Sequence, residues 1–247
     1  MRPTLLVGVL IFLASWYAVS YLGLVNPVLC PPPHVVASRL WEMIVTAEVV
    51  PDVLSTLYRM AIGFGMAATI GVPLGLLIGY VRVVYEALEF MVEFFRSVPA
   101  TALFPLFMLF LGIGDTAKIS VVVFSAGLIN IVNAAYGVKN ARHSHIAAAK
   151  SMRATNGQIF LKVILPGAMP HIFAGLRTTL SLSLILVVVT EMFIGTGTGL
   201  GERIYNAHLM FRIPEMYAAI VLTGIMGYAL NKVFVHFERR LVHWYGK

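Results

Sequence analysis

Long apolar runs alternate with short polar segments along this chain. Six of these runs are long enough to be transmembrane helices: 5–24, 55–80, 84–111, 118–137, 168–194 and 215–237. A helix needs roughly 20 mostly apolar residues to cross the hydrocarbon core of a bilayer. The pattern therefore predicts an all-α integral membrane protein with about six transmembrane helices, and the length is that of a single transmembrane domain over 1–247.

Prolines interrupt the pattern at two places. The run 84–111 contains Pro99 and is predicted to be one long helix broken near that residue, because proline lacks the backbone donor that a helix interior uses. The stretch NPVLCPPPHVV after the first run also stops a helix, and residues 34–48 can resume as a short one. Apolar residues share one face of this short helix, opposite Arg39 and Glu42: Val36, Leu40, Met43, Ile44 and Ala47. Such a helix lies on a membrane surface or against neighbouring spans.

Small residues recur every four positions in the second run: Gly63, Ala67, Gly71, Gly75 and Gly79. Positions four apart lie on one face of a helix, and a small-residue face lets another helix backbone approach closely. The stripe therefore predicts a helix–helix contact, and Pro73 is expected to kink this helix.

The segment 140–166 between the fourth and fifth runs is the least apolar long part of the chain. SHIAAAKSMRAT favours a helix, Asn156-Gly157 favours a turn, and QIFLKVIL gathers apolar residues on one side. Pro166 is expected to end the unit. We therefore predict a short helix-turn-helix that projects from the membrane, with an apolar face of Ile159, Phe160 and Val163 that docks into a groove of a soluble partner.

Composition agrees with a membrane protein. Of the 247 residues, 59% are hydrophobic and 12% are charged, the mean hydropathy is +0.87, and the net charge is +7. Soluble domains carry about 25% charged residues. Because the basic residues flank apolar runs, they indicate membrane topology and not nucleic-acid binding. The first run follows Arg2 and has no small-residue cleavage site, so it is expected to stay as an anchor.

The distribution of Lys and Arg predicts the orientation. With both termini in the cytoplasm, the inner side holds twelve basic residues and the outer side only five: Arg39, Arg59, Lys118, Arg203 and Arg212. An inner excess is the usual arrangement, so segment 140–166 is predicted to be cytoplasmic. Trp41 and Trp244 are expected near the membrane interfaces. Cys30 is the only cysteine, which excludes an intrachain disulfide.

Enzymatic chemistry is not predicted for this chain. GTGTGLGER, at 195–203, lacks the Gly-Lys-Ser/Thr ending of a phosphate-binding loop and is expected to be a flexible return into the sixth span. His143 and His145 are two residues apart and do not share a helical face, so no metal site is expected. No serine, histidine and acid combination has the motif context of a hydrolase. ATP chemistry is therefore expected in another chain.

Charged and polar residues inside the apolar runs are candidates for a translocation pathway. Polar or charged side chains at membrane depth usually face a bundle interior or water. The candidates are Arg96, Ser97, Pro99, Arg177 and Glu191. The acidic stripe Glu86, Glu89 and Glu93 is open to three interpretations: a surface partly neutralised by an i, i+3 pair with Arg96, a contact to an ATPase, or a proton relay.

Segment 140–166 resembles the "EAA" coupling loop of ATP-binding cassette importer permeases. Ala148 and Ala149 match the alanines of that pattern, and the ending matches at Val163, Leu165 and Pro166. Ala147 replaces the glutamate and Arg153 replaces the glycine. Four further segments resemble the nitrate, sulfonate and taurine permease subfamily: TLYRMAIGFGMAATIGVPLGLLIGY, FFRSVPATALFPLFMLFLGIGDTAKI, GLRTTL and GTGLGERI.

This resemblance implies a permease of the bacterial cell inner membrane that imports a small anionic solute by alternating access. The implied solutes are nitrate, bicarbonate, taurine, sulfonates or small organic acids. The implied partners are a second permease copy in a homodimer, two cytoplasmic ATPases that hold ATP and magnesium, and an outer substrate-binding protein. No cofactor is expected in this chain. The implied ATPase-coupling residues are Ala147, Ala148, Ala149, Arg153, Gly157, Ile159, Phe160, Val163, Leu165 and Pro166.

The alternative is a proton-coupled secondary transporter. Such a protein needs inverted repeats and ionisable residues near the membrane midplane. No internal repeat is evident in the sequence.

Overall fold

The computed structural model describes residues 3–23, 25–26, 28–141, 143–195 and 197–242, with the backbone alone described for 3–6 and 143. These residues form eleven α-helices: α1 Pro3–Tyr21, α2 Pro33–Val45, α3 Val50–Tyr80, α4 Arg82–Ser97, α5 Phe104–Leu111, α6 Asp115–Lys139, α7 His143–Ser151, α8 Asn156–Ile159, α9 Leu165–Phe193, α10 Leu200–Leu209 and α11 Ile213–Leu241. A 3₁₀ turn precedes α5, and a π turn, Phe160–Ile164, joins α8 to α9. The predicted all-α membrane fold is confirmed.

Within the described residues, four helical segments are long and apolar enough to cross a membrane: α3, α6, α8 to α9, and α11. A fifth span results if α4 and α5 count together. The first helix, α1, is apolar over the shorter stretch Val7–Tyr21. These elements correspond to the six predicted spans, and most of the helices extend a few residues beyond the predicted limits.

Close packing of α3 on α6 forms the centre of the bundle. A Cβ added at Gly71 would lie 2.7 Å from the carbonyl oxygen of Gly127, and one at Gly79 would lie 2.7 Å from that of Ala135. The backbones therefore approach to a distance that only glycine allows at these positions. The predicted small-residue contact is confirmed.

The third apolar run forms two helices and not one. The predicted break near Pro99 is confirmed, and helices α4 and α5 meet there at 91°. Val98 precedes Pro99 and is extended, at φ −77° and ψ 124°, as proline requires of the residue before it. Two prolines, Pro99 and Pro105, flank the short 3₁₀ turn and restart the helix in a new direction.

The fifth span begins earlier than predicted. One continuous helical segment runs from Asn156 to Phe193, through α8, the π turn and α9. Pro166 therefore does not end the coupling unit. It lies in the first turn of α9, directly after the π turn and inside this continuous helical segment.

Two short helices, α2 and α10, lie at the end of the bundle opposite to α7 and α8. We call these the α2–α10 end and the α7–α8 end. Val36 and Met43 of α2 are buried with Leu200 and Ala218, so α2 packs against its neighbours. The predicted helix 34–48 included Ala47, but α2 ends at Val45 and Ala47 follows it at a positive φ of 57°. Trp41 is exposed on α2, and Trp244 falls outside the described residues.

Candidate functional site

Helix α7 lies in segment 140–166, which we call the coupling segment after the resemblance described above, and it ends in a Schellman motif. The Arg153 N–H donates to the Lys150 carbonyl at 2.9 Å, and the Ala154 N–H donates to the Ala149 carbonyl at 3.1 Å. Arg153 has a φ of 58°, in the left-handed region where glycine carries no Cβ penalty. A glycine at this position, as in the "EAA" pattern, takes this conformation without strain. Arg153 takes the same conformation at a cost of about 1 kcal/mol.

The turn lies three residues before its predicted position. It occupies Met152 to Ala154, whereas Asn156 already starts α8. The Thr155 hydroxyl accepts from the Gln158 N–H, and the Gln158 side chain accepts from the Thr155 N–H, which forms a capping box. This capping box gives the helix a defined start, so the Asn-Gly pair acts as a helix N-terminus and not as a turn.

The predicted docking face of the coupling segment points into the protein itself. Ile159 is buried in a cluster with Ala134 and Val138 of α6. The Phe160 ring packs edge-on against Tyr80, with ring centroids 5.1 Å apart. Ile159 is therefore already covered within the protein, which contradicts the expectation that it needs a partner, whereas Phe160 is only partly buried.

Other residues of the segment face outward. Met152 is 83% exposed and Leu161 is 62% exposed. Among the predicted coupling residues, four are exposed: Ala147, Ala148, Arg153 and Gly157. Four others are partly buried: Ala149, Val163, Leu165 and Pro166. Lys150 and Lys162 are exposed as well, so the exposed surface of the described residues combines small residues, three basic residues and two apolar side chains.

A buried charge cluster occupies the α2–α10 end. Arg59 of α3 is 3% exposed and lies between two carboxylates: its Nε is 2.7 Å from Asp115 Oδ1, and its Nη1 is 2.6 Å from Glu191 Oε1. Glu191 is fully buried and also accepts from the Thr56 hydroxyl and from the Gly201 N–H at 3.0 Å. The cluster ties α3, α6, α9 and the start of α10 together.

Sequence reasoning missed this cluster. Arg59 and Lys118 were counted as outer-side charges, but both are buried within helices. The available signal was a single arginine inside the apolar α3 run and a single glutamate inside the apolar α9 run, because unlike charges at membrane depth usually pair.

Arg203 organises a second, more exposed charge network on the same end. Its Nε lies 2.6 Å from Asp52, and its Nη1 lies 2.7 Å from Glu48 and 2.9 Å from Glu215. The hydrogen bond from Arg203 is the main reason that the pKa of Glu48 is lowered, although partial burial opposes it. The same residues line a polar cavity of about 180 Å³.

The glycine-rich stretch before α10 is fixed by these networks. The Gly199 N–H donates to Asp52 at 2.9 Å, and the Leu200 N–H donates to Thr56 at 3.0 Å. Hydrogen bonds thus hold Gly199 and Leu200 in place. The predicted return into the sixth span is not direct, because α10 lies between these residues and α11.

The predicted pathway residues Arg96, Ser97 and Pro99 lie together at the bend between α4 and α5. The predicted pair of Arg96 with Glu93 is confirmed, at 2.7 Å, and the Ser97 hydroxyl donates to the Glu93 carbonyl. A cavity of about 240 Å³ adjoins the bend and is lined mainly by apolar residues, with Arg96 and Ser125 as its polar members. The rest of the acidic stripe is exposed, with Glu86 paired to Arg82 and Glu89 bonded to Tyr85.

The other two pathway candidates do not share one site. Arg177 and Glu191 are fourteen residues apart on α9, which separates them by about 21 Å along the helix. Arg177 is exposed, and its Nε donates to Asn231 of α11 at 3.1 Å. Asn231 lines a groove of about 430 Å³ between α9 and α11.

Residues 71–245 match the family described as binding-protein-dependent transport system inner membrane component. A probable ABC transporter permease of Brucella melitensis is 31% identical over 232 residues, which cover 94% of this chain and 93% of that protein. The taurine transport system permease of Escherichia coli K12 is 30% identical over 252 residues, which cover 100% of this chain and 91% of that protein. A nitrate import permease of Synechocystis is 31% identical over 77% of this chain and 69% of its own length.

The fold resembles that of solved transporters. The inward-facing MetNI methionine ABC transporter matches with a TM-score of 0.69 at 23% identity, over 78% of this chain and 95% of that one. An amino acid ABC transporter crystallised with histidines matches with a TM-score of 0.64 at 20% identity, over 81% of this chain and 98% of that one. At these identities the likeness concerns the fold.

Proposed function

The chain belongs to the binding-protein-dependent transport system inner membrane components and is a permease subunit of an ATP-binding cassette importer, and we propose that two copies of it form a passage for a small anion. ATP is hydrolysed in separate cytoplasmic subunits, and a binding protein delivers the solute from outside. Both termini and the α7–α8 end face the cytoplasm. Relatives named for taurine, aliphatic sulfonates and nitrate support a small anionic solute.

The exposed surface of the coupling segment is the observation that carries the coupling role. Ala147 and Ala148 are small and exposed, and Met152 and Leu161 expose apolar surface at the tip of the bundle. Small residues allow close approach of a partner, and exposed apolar side chains favour burial on docking. This surface is therefore the contact to the ATPase, and Ile159 and Phe160 support it from below.

The connection between the two ends explains how the coupling motion is transmitted. The helical segment Asn156–Phe193 has 38 residues and is about 57 Å long. It starts beside the ATPase contact and ends near Glu191, which is tied to Arg59 and thereby to α3 and α6. A displacement of the coupling segment is therefore passed to the opposite end by one continuous element, as alternating access requires.

The test is a charge placed on the proposed contact. Met152→Asp puts a carboxylate where the ATPase excludes water, and we expect at least a tenfold loss of ATPase co-purifying with the tagged permease, or about 1.4 kcal/mol. Met210→Asp is the matched control, because Met210 is 66% exposed at the opposite end of the bundle. Wild-type recovery of the ATPase with Met152→Asp, together with normal solute-stimulated ATP hydrolysis in proteoliposomes, contradicts the coupling assignment.

A further inference from the structure

Helix α4 is packed more loosely than α3, α6, α9 and α11. All sixteen residues of α4 are described, and none of them is buried, whereas the other four helices each bury several residues. A cavity of about 200 Å³ separates part of α4 from its neighbours, with Glu89 and Val92 on one side and Ile78 and Ile131 on the other. A helix without buried side chains and with open space beside it can change position at little cost in packing.

Among the described residues, two aromatic contacts attach α4 to α6. Near the start of α4, the Lys139 ammonium of α6 lies 2.8 Å from the centroid of the Tyr85 ring. Near its end, the Phe95 ring meets Phe124 of α6 edge-on, with ring centroids 5.7 Å apart. The Tyr85 hydroxyl donates to Glu89, which leaves more negative charge on the ring, and the face of such a ring attracts a cation. We call Lys139, Tyr85 and Glu89 the α6–α4 link.

The position of Lys139 connects this link to the coupling segment. Lys139 is the last residue of α6 and directly precedes segment 140–166. Its neighbour Val138 is buried in one cluster with Ile159 of that segment. Both the chain and a packed contact therefore attach the coupling segment to this end of α6. A displacement of the segment reaches Lys139 first, and the α6–α4 link passes it to α4.

The other end of α4 leads to the bend with α5. Phe95 and Arg96 belong to the last turn of α4, and both line the cavity of about 240 Å³ at this bend. Pro99, another predicted pathway residue, lies on the same wall. A shift of α4 therefore changes the shape of this cavity.

We infer that Lys139 is a positioning residue for transport, which acts through Tyr85 to make α4 follow the coupling segment. The attraction acts toward the whole face of the ring and the lysine stem is flexible, so α6 and α4 can pivot without losing contact. Lys232 makes a similar contact with Tyr228 at 5.3 Å, but both residues lie on α11, so that contact joins no two helices. The inference rests on the proposed function, because it needs the ATPase at the α7–α8 end.

Spin labels on α4 test the link. In a Cys30→Ser background, Phe90→Cys places one nitroxide on α4 of each permease copy, since Phe90 is 76% exposed. The distance between the two labels is measured by electron spin resonance in the purified permease–ATPase complex, without nucleotide and then with ATP and vanadate. We expect nucleotide to shift this distance, and we expect Lys139→Gln to reduce the shift by about twofold or more. Lys139→Arg keeps a cation over the ring and should preserve most of the shift.

Two controls separate the link from a general loss of function. Met210→Cys, in the same background, reports the opposite end of the bundle, which segment Asn156–Phe193 reaches without α4. Its nucleotide-dependent shift should be the same with and without Lys139→Gln. Lys232→Gln also removes a lysine from an aromatic face and should leave the Phe90 shift unchanged. An equal Phe90 shift in the parent and in Lys139→Gln overturns the inference.

A double variant tests whether Lys139 acts through Tyr85. Tyr85→Leu removes the ring and should reduce the Phe90 shift as much as Lys139→Gln does. The variant with both substitutions should reduce it no further, because each substitution removes the same contact. Tyr85→Phe keeps the ring and loses only the bond to Glu89, so its effect should be smaller. A double variant that loses the sum of the two single effects overturns the link.

The inference and the proposed function fail on different results. If no ATPase co-purifies with the permease, or if nucleotide shifts neither the Phe90 nor the Met210 distance, the proposed coupling function fails. If nucleotide shifts the Met210 distance and leaves the Phe90 distance unchanged in the parent, the inference is overturned and the proposed function stands.

Discussion

Individual charged residues in this protein have opposite environments at different levels of the bundle. Arg59 and Glu191 are buried and have several partners each, including the Thr56 hydroxyl and the Gly201 N–H. Burying a charge is tolerated when opposite charges and hydrogen bonds replace its water. Arg177 has one amide partner and an open groove beside it. The paired charges are thus structural, whereas Arg177, within the described part of the chain, is held by an amide and not by a carboxylate.

Removing one partner of the buried pair tests the structural role. Glu191→Gln leaves the Arg59 guanidinium with one carboxylate in a site that excludes water, and we expect the free energy of unfolding to fall by about 3 kcal/mol or more. Thermal unfolding of the purified permease in detergent measures this change. Glu86→Gln removes an exposed partner of Arg82 and should change stability by less than about 1 kcal/mol. Equal melting temperatures for the two variants would refute the role of the cluster.

Helices in this bundle owe their arrangement to small residues and to prolines. The glycine stripe of α3 sets its distance from α6, so larger residues there would separate the helices that carry the charge cluster. Pro99 and Pro105 turn α5 by 91° from α4 and create the cavity at the bend. Pro166, in contrast, is accommodated at the start of α9 after a π turn, so α8 and α9 stay continuous.

A single methyl group tests the α3–α6 contact. A Cβ at Gly75 would lie 2.7 Å from the Ala134 Cβ and 2.8 Å from the Ile131 Cα, too close for either helix to keep its place. We expect Gly75→Ala to destabilise the protein by about 1–3 kcal/mol, measured as loss of melting temperature in detergent. Gly65→Ala on the same helix has open space and should be neutral or stabilising by up to about 1 kcal/mol. A Gly75→Ala protein as stable as Gly65→Ala would contradict the packing.

At the scale of the whole molecule, the two ends of the bundle have different surfaces. The α7–α8 end presents small and apolar residues on a capped helical turn, whereas the α2–α10 end presents arginine and carboxylate networks around a polar cavity. An importer permease needs one end for the ATPase and one for the binding protein. The orientation proposed from the basic residues assigns the α7–α8 end to the cytoplasm.

Cysteine labelling tests this orientation. Cys30 is the only cysteine and lies partly exposed before α2, so a membrane-impermeant maleimide should label it in intact spheroplasts. In a Cys30→Ser background, Met152→Cys at the opposite end should be labelled only after permeabilisation. Cys30→Ser alone is the unlabelled control. The reverse pattern would place the α7–α8 end outside and overturn the proposed coupling role.

The sequence by itself determined the apolar spans, the small-residue stripe and the presence of short helices in segment 140–166. These features depend on composition and on periodicity over a few turns of one helix, which neighbouring residues define. The Schellman turn at Arg153 could be predicted in part, because the "EAA" pattern has glycine at that position. The turn itself was predicted three residues too late, at Asn156-Gly157.

Tertiary structure alone decided what each apolar face and each charged side chain contacts. Apolar periodicity is the same whether a face is buried in the protein, in lipid or in a partner, so it could not show that Ile159 is buried against α6 or that Phe160 packs against Tyr80. Likewise, the pairing of Arg59 with Glu191 joins residues 132 positions apart, and the contact of Arg177 with Asn231 joins residues 54 apart. Such contacts exist only after the helices pack, because nothing local brings those side chains together.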